Sequence, residues 1–229
     1  MPTTVFCLPF AGGGVLSYQK FAQNAPDGVE FITLSAPGKD QRLQEPLLTD
    51  MSALAKQYSE QIIHSGQAEY LLFGHSMGAL MTHLVIHELK SQNADLPNHV
   101  IVSSCPAPDH HHDRGRGTMD DIAFIKHMKK LGGLPPRLLA EPSLMKVFLP
   151  ILRADIAAID NYRYQKQEKH DLPMTVLFGS KEEQLQRVIL DWQQESTQKV
   201  VIQRMDGGHF FIFEQLEKMM GLFTELVRR

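Results

Sequence analysis

The chain has 229 residues, enough for one sizeable hydrophobic core and short for two, so a single domain over residues 1–229 is expected. Hydrophobic residues make up 43% and charged residues 21%, which excludes a disordered or fibrous chain. A net charge of -3 provides no global basic field to gather nucleic acid or anionic lipid, so any charged partner has to be met by a local patch.

Short apolar runs bounded by turn residues occur, in chain order, near residues 4–8, 30–34, 70–73, 99–103, 174–178 and 199–203. They lack the polar alternation of a half-exposed sheet and read as buried parallel strands. Helical patterns lie near 50–64, 77–92, 183–195 and 212–227. Strand and helix alternating in this way predict an α/β chain with a mostly parallel, doubly wound sheet. The rhythm breaks over about 106–173, where no strand is evident. There Ile122, Ile125, Met128 and Leu131, and then Leu144, Val147, Phe148 and Ile151 after Leu134-Pro135-Pro136, recur at helical spacing. This segment is expected to be a helical insertion forming a lid over the carboxyl ends of the strands, where sheet enzymes bind ligands. Periodicity alone would equally allow helices that merely cap an open core.

Cys7 and Cys105 are the only cysteines, and each ends a predicted buried strand as a small hydrophobe would. A reducing compartment is expected. The start of the chain carries no basic segment followed by a long apolar run, and no stretch approaches the roughly 20 apolar residues that span a bilayer. A cytoplasmic monomer, without membrane or nucleic-acid partners, is the expectation.

The strongest chemical signal is Gly74-His75-Ser76-Met77-Gly78, a G-x-S-x-G between the strand Tyr70-Leu71-Leu72-Phe73 and the helical run that follows. A serine on so tight a turn is held in a strained conformation that lifts its hydroxyl clear, and glycines on both sides permit it. The helix starting at Met77 aims free N–H groups and its positive dipole end at a developing oxyanion. A Gly-Ser turn without chemistry is the bland alternative; the strand and helix around it weigh against that.

Ser76 needs a base, and eleven histidines compete. His64, His83, His87 and His127 fall on helical patterns, where packing or exposure is the usual role, and His75 points elsewhere on the turn. His110-His111-His112 suggests metal, but three successive side chains rarely converge on one ion, and the run reads as a solvated loop. His209 stands apart. Asp206-Gly207-Gly208-His209-Phe210-Phe211 follows the last strand and precedes the last helix, completing a Ser, acid, His order. The acid should follow the strand Met174-Thr175-Val176-Leu177-Phe178, where Glu182 and Glu183 leave the register open; Asp109, after an earlier strand, competes. A second oxyanion N–H besides that of Met77 should come from the loop Leu8-Pro9-Phe10-Ala11-Gly12-Gly13-Gly14, with Phe10 the first choice and Ala11 the second. Gly12-Gly13-Gly14 fits no nucleotide-binding pattern.

Taken together, these residues resemble the type II thioesterases that accompany nonribosomal peptide and polyketide synthases, members of the α/β-hydrolase fold. Nearly the whole chain is covered. The opening Cys7-Leu8-Pro9-Phe10-Ala11-Gly12-Gly13, then Ala36-Pro37-Gly38 with Arg42 and Glu45-Pro46, then Phe73 to Ala79 carry the resemblance. Leu131-Gly132-Gly133, Leu149-Pro150-Ile151-Leu152-Arg153-Ala154-Asp155 with Tyr162, and Gly207 to Phe211 complete it. The resemblance implies hydrolysis of acyl or aminoacyl groups from the phosphopantetheine arm of carrier proteins, with Ser76 as nucleophile, His209 as base and no metal or cofactor. It puts Glu182 where the family usually has aspartate. Two departures stand out: Lys39 replaces a common arginine, and the stretch between Gly179 and Trp192 is about one residue short. A carboxylesterase or lipase acting on free esters would share the same triad, and a synthase-docking protein without catalysis is the rival from another class. Arg114, Arg116, Lys126, Lys129, Lys130 and Arg137 make the insertion basic, which suits an acidic carrier protein.

Overall fold

The six apolar runs form β1 (Thr3–Leu8), β2 (Val29–Thr33), β3 (Tyr70–His75), β4 (His99–Ser103), β5 (Met174–Gly179) and β6 (Val201–Met205). They make one sheet in the order β2-β1-β3-β4-β5-β6, and every neighbouring pair is parallel. The computed structural model describes residues 2–134 and 136–228, with side chains throughout except at 136 and 137. Pro135 and the Arg137 side chain, both used in the sequence reading, lie outside what is described.

The four inner strands are buried on both faces, which is why their sequences run apolar without alternation. The edges behave differently. In β2, Glu30 is exposed between the buried Val29 and Phe31. β6 starts two residues later than expected, with Val201 and Arg204 exposed, as an edge strand that must not recruit another chain tends to be.

Helices cover both faces. One core holds α2 (Met51–Ser65), α3 (Met77–Ser91) and the helices between β4 and β5; the other holds α1 (Gln19–Gln23), α8 (Phe211–Glu214) and α9 (Leu216–Val227). α2 begins where Asp50 accepts a hydrogen bond from the Ala53 N–H at 2.7 Å and stops at the left-handed Gly66. The expected helix at 183–195 is instead α7 (Glu183–Gln186) followed by a 3-10 turn, Ile189–Gln194. The tighter turn seats the fully buried Trp192, whose Nε1–H donates to the Cys105 carbonyl at 2.9 Å. The pattern at 212–227 divides at Gln215, where the backbone leaves helical angles.

Between β4 and β5 the chain forms α4 (Asp121–Lys130), α5 (Pro136–Ala140) and α6 (Pro142–Asn161), with 3-10 turns at Pro108–His110 and Arg116–Thr118. The buried stripes are shifted from those expected. On α4 the buried residues are Phe124 and Met128, while Ile122 is 83% exposed. On α6, Leu144 and Val147 are exposed and burial begins at Leu152, because only the second half of this helix lies on the sheet layer. Both cysteines are buried and free. Among the described residues, no helix is long and apolar enough to cross a membrane.

The chain crosses from β1 to β2 on one side and returns to β3 on the other, so the carboxyl ends of β1 and β3 diverge at a switch point. The loop after β1 and the turn after β3 both open there.

Candidate active site

Ser76 sits between β3 and α3 with φ 56 and ψ -117, a conformation that a non-glycine residue adopts only when its surroundings enforce it. Its N–H donates to the Ser103 carbonyl at 2.8 Å, and its own carbonyl accepts the first bonds of α3 from Ala79 and Leu80. The flanking glycines are required by close approach. A Cβ on Gly74 would strike the Gly78 carbonyl, and one on Gly78 would strike the Leu8 carbonyl at the end of β1. The same contact sets the start of α3 directly against the Pro9–Gly14 loop. Met77 is the first residue of the helix, so its N–H has no carbonyl within α3 to bond.

That loop is held in shape from below. The Gly13 N–H donates to the Phe10 carbonyl at 2.8 Å, closing a turn over Ala11 and Gly12. The Gly12 N–H donates to Asp155 Oδ2 at 2.7 Å, and the same oxygen accepts from Lys39 Nζ at 2.6 Å, which also donates to the Gly13 carbonyl at 3.2 Å. Lys39 and Asp155 are both buried, so α6 and the segment after β2 are tied to the loop through one ion pair. Burial pushes the Asp155 carboxyl up, against the pull of Lys39 and the Gly12 N–H. The Phe10 ring lies edge-on to His75 and Phe210.

His209 follows β6 on the Gly207-Gly208 loop, and its Nδ1 lies 2.9 Å from Glu182 Oε1. The other Glu182 oxygen accepts from the Gly179 N–H at 2.7 Å and from Ser104 Oγ at 2.8 Å. Burial alone would raise the Glu182 carboxyl; the bonds from His209, the Gly179 N–H and Ser104 outweigh it and leave the group below the usual carboxylate range. Gly179 has to be glycine, since a Cβ would meet the Gly208 and Gly207 carbonyls at 2.6 and 2.8 Å. The β5 and β6 loops therefore interlock, with the Lys181 N–H bonded to the Gly207 carbonyl at 3.0 Å.

Among the described residues neither of the two other acids bonds to His209, whose Nδ1 partner is Glu182. Glu183 is exposed at the start of α7. Asp109 is exposed on the 3-10 turn after β4, 3.7 Å from His110 Nε2. His75 is fully buried on Ser103 Oγ at 3.0 Å, as expected of a residue pointing away from the cleft. The run at 110–112 corrects the sequence reading, because only His112 is a solvated loop residue. His110 pairs with Asp191 at 2.6 Å, and His111 packs inward, 3.4 Å from Cys105 Sγ, with burial pushing it down to about 4. Arg116 is likewise withdrawn from the expected basic face, being buried in a bidentate pair with Asp160. Ser104 escaped the sequence reading. It adopts φ 50, and nothing in Ser103-Ser104-Cys105 marks a left-handed serine.

Ser76, Met77, Glu182, His209 and Phe210 line one cleft of about 980 Å³, roofed in part by Leu131 and Gly132 just beyond α4. A six-stranded parallel sheet with a strained serine after β3, a histidine after β6 and a carboxylate bonded to it after β5 defines an α/β-hydrolase. Residues 3–226 match the model of the thioesterase domain family, and the chain belongs to that family. It is 30% identical to the probable anguibactin biosynthesis thioesterase AngT of Vibrio anguillarum, over 97% of this chain and 90% of that one. Among solved structures, it resembles RedJ, the thioesterase of the prodiginine pathway of Streptomyces coelicolor, at 27% identity and a TM-score of 0.89, covering 98% and 90% of the two chains. It also resembles YbtT, a type II thioesterase of the yersiniabactin NRPS/PKS pathway, at 28% identity and a TM-score of 0.80, covering 99% and 92%.

Proposed function

We propose that the protein is a type II editing thioesterase, which removes acyl or aminoacyl groups from the phosphopantetheine arm of carrier proteins in nonribosomal peptide or polyketide synthesis. The observation that carries this reading is the 2.9 Å bond between His209 Nδ1 and Glu182, in the cleft that also exposes the strained Ser76. Ser76 Oγ attacks the thioester carbonyl while His209 Nε2 takes its proton, and Glu182 holds the imidazole and stabilises its cation. The tetrahedral oxyanion is met by the Met77 N–H and by the N–H of Phe10 or Ala11 in the loop after β1. As the intermediate collapses, the C–S bond breaks and His209 returns the proton to the leaving thiol. Water, deprotonated by the same histidine, then attacks the acyl-Ser76 ester, giving the free carboxylic acid and regenerating the serine.

Arg114, Lys130 and Lys181 line the cleft and suit the phosphodiester of the arm. Residues 106–173 act as the lid of a single-domain monomer, working in the cytoplasm beside the synthase. The test is turnover on a panel of acylated carrier proteins against free esters at equal concentration. Faster cleavage of the carrier-bound acyl group, abolished in a folded Ser76→Ala protein, is expected; near-native turnover by that variant sinks the reading, and preference for the free ester makes the protein a carboxylesterase.

A further inference from the structure

Two turns beyond Ser76 on α3, His83 and His87 stand four residues apart, a spacing that puts both rings on one face of a helix. Their centroids are 4.5 Å apart. Glu195, at the end of the 3-10 turn before β6, reaches the same point from the next layer. One ligand atom from each of these residues lies within 4.8 Å of the other two. We propose that His83, His87 and Glu195 form a binding site for a single divalent transition-metal ion, with zinc the ion the donor set suits best.

Three observations support it. First, His83 is 1% exposed and its Nδ1 has no hydrogen-bond partner, although it faces Glu195 Oε2 at 3.3 Å. A buried polar nitrogen without a partner is costly to keep, and a metal ion would satisfy it. Second, Glu195 is held from behind. Its Oε1 accepts from Tyr164 Oη at 3.1 Å, and its carbonyl accepts from the His170 N–H at 3.0 Å, leaving Oε2 directed at the histidines. This is how ligating carboxylates are oriented by a second layer of hydrogen bonds. Among the described residues, no lysine or arginine forms an ion pair with this buried carboxylate, so a cation would supply the missing charge. Third, a cavity of about 280 Å³ lined by His83, His87 and Tyr162 adjoins the cluster, giving an entry path and room for a water as fourth ligand.

Two imidazoles and a carboxylate match zinc in chemistry, and closing the cluster to bond lengths of about 2.0–2.2 Å asks for side-chain shifts of about 1 Å. Such an ion would staple α3 to the segment before β6, about 10 Å along the helix from Ser76 at 1.5 Å per residue.

The test uses tag-free, chelator-stripped full-length protein titrated with cobalt(II) and with zinc(II). The expected result is one ion per chain with visible cobalt d–d bands, displacement of cobalt by zinc, and a zinc-dependent rise in the thermal midpoint. His87→Gln, half-buried and tolerant, and Glu195→Gln should each weaken zinc binding about 100-fold or more while circular dichroism shows both folded. A His110→Gln/His112→Gln protein should bind as the wild type does. Absence of binding at tens of micromolar zinc, unchanged affinity in His87→Gln, or loss of binding in the 110/112 variant instead would each overturn the proposal.

Discussion

Glu182 does two jobs at once. Its side chain turns back to cap the Gly179 N–H three residues earlier while its other oxygen faces His209, a span that the extra methylene of glutamate over aspartate makes possible. Replacing Glu182 by glutamine should leave the fold intact and lower turnover on the order of 10³–10⁴-fold, since the imidazole loses the charge that orients it and stabilises its cation. Asp109→Asn and Glu183→Gln, measured on the same acyl-carrier substrate, should stay near wild type; loss in Asp109→Asn alone would move the acid to the β4 loop. Ser104 donates to the same carboxylate, so Ser104→Ala should cost about 10-fold in turnover, the lower end of what a hydrogen bond to a charged group contributes. At this scale motif and chain order pointed to Ser76 and His209 but left the acid open among Glu182, Glu183 and Asp109, because neighbouring loop positions carry no register signal; the His209 contact is made by Glu182. Ser104 was not legible, since its part depends on a positive φ that no local pattern announces.

Among the elements, the inner strands were readable from continuous apolar runs, and the edge strands less so, because burial on one face restores polar alternation. The short α1 was missed: it turns only one and a half times after a 3-10 turn, too short for a periodic signal despite the buried Tyr18 and Phe21. The insertion was recognised as helical, but its buried stripes were misplaced, since half of α6 does not face the sheet. What links these elements to the site is the Lys39–Asp155 pair beneath the Gly12 loop. Asp155→Asn would leave Lys39 buried without its counter-charge, and breaking a buried pair on one side costs about 3–5 kcal/mol. Urea unfolding should register that loss, and turnover at a temperature where the variant is folded should also fall if the loop anchored by this pair supplies, as proposed, the second oxyanion N–H. Stability reduced with turnover unchanged would reduce the pair to a purely structural role. On α4, Lys126, Lys129 and Lys130 remain exposed after Arg116 is removed from the expected face. Lys126→Glu/Lys129→Glu, at exposed positions outside the cleft, should slow association with an acidic carrier protein and flatten its salt dependence, leaving a small free thioester cleaved as before.

For the whole molecule, the pH dependence of stability follows from histidines locked inside it. His75 is fully buried between Phe10, Phe210 and His209; burial, and then the charge of His209, hold its pKa well below the usual value. The folded protein therefore refuses a proton that the unfolded chain accepts below about pH 6.5. A depressed histidine leaves stability intact above that pH and removes it as the pH falls. At pH 5.5 the loss from His75 alone is about 1.4 kcal/mol, a sizeable part of a typical total of about 5–15 kcal/mol. His111, pushed down to about 4, acts in the same direction over the same window. Glu182 enters only lower: its depressed carboxylate adds stability above its unfolded pKa near 4.5, and that is lost as the pH falls through the lower folded value. Between pH 6.5 and 5 the histidines should dominate, and urea midpoints measured across pH 8 to 5 with a chelator present should fall only below about 6.5. A His75→Asn protein, able to keep a bond to Ser103, should show a shallower decline by about one proton's worth. A midpoint that is level from pH 8 to 5 would mean that His75 takes up its proton in the folded state, and that the buried ring is less sealed than its packing indicates.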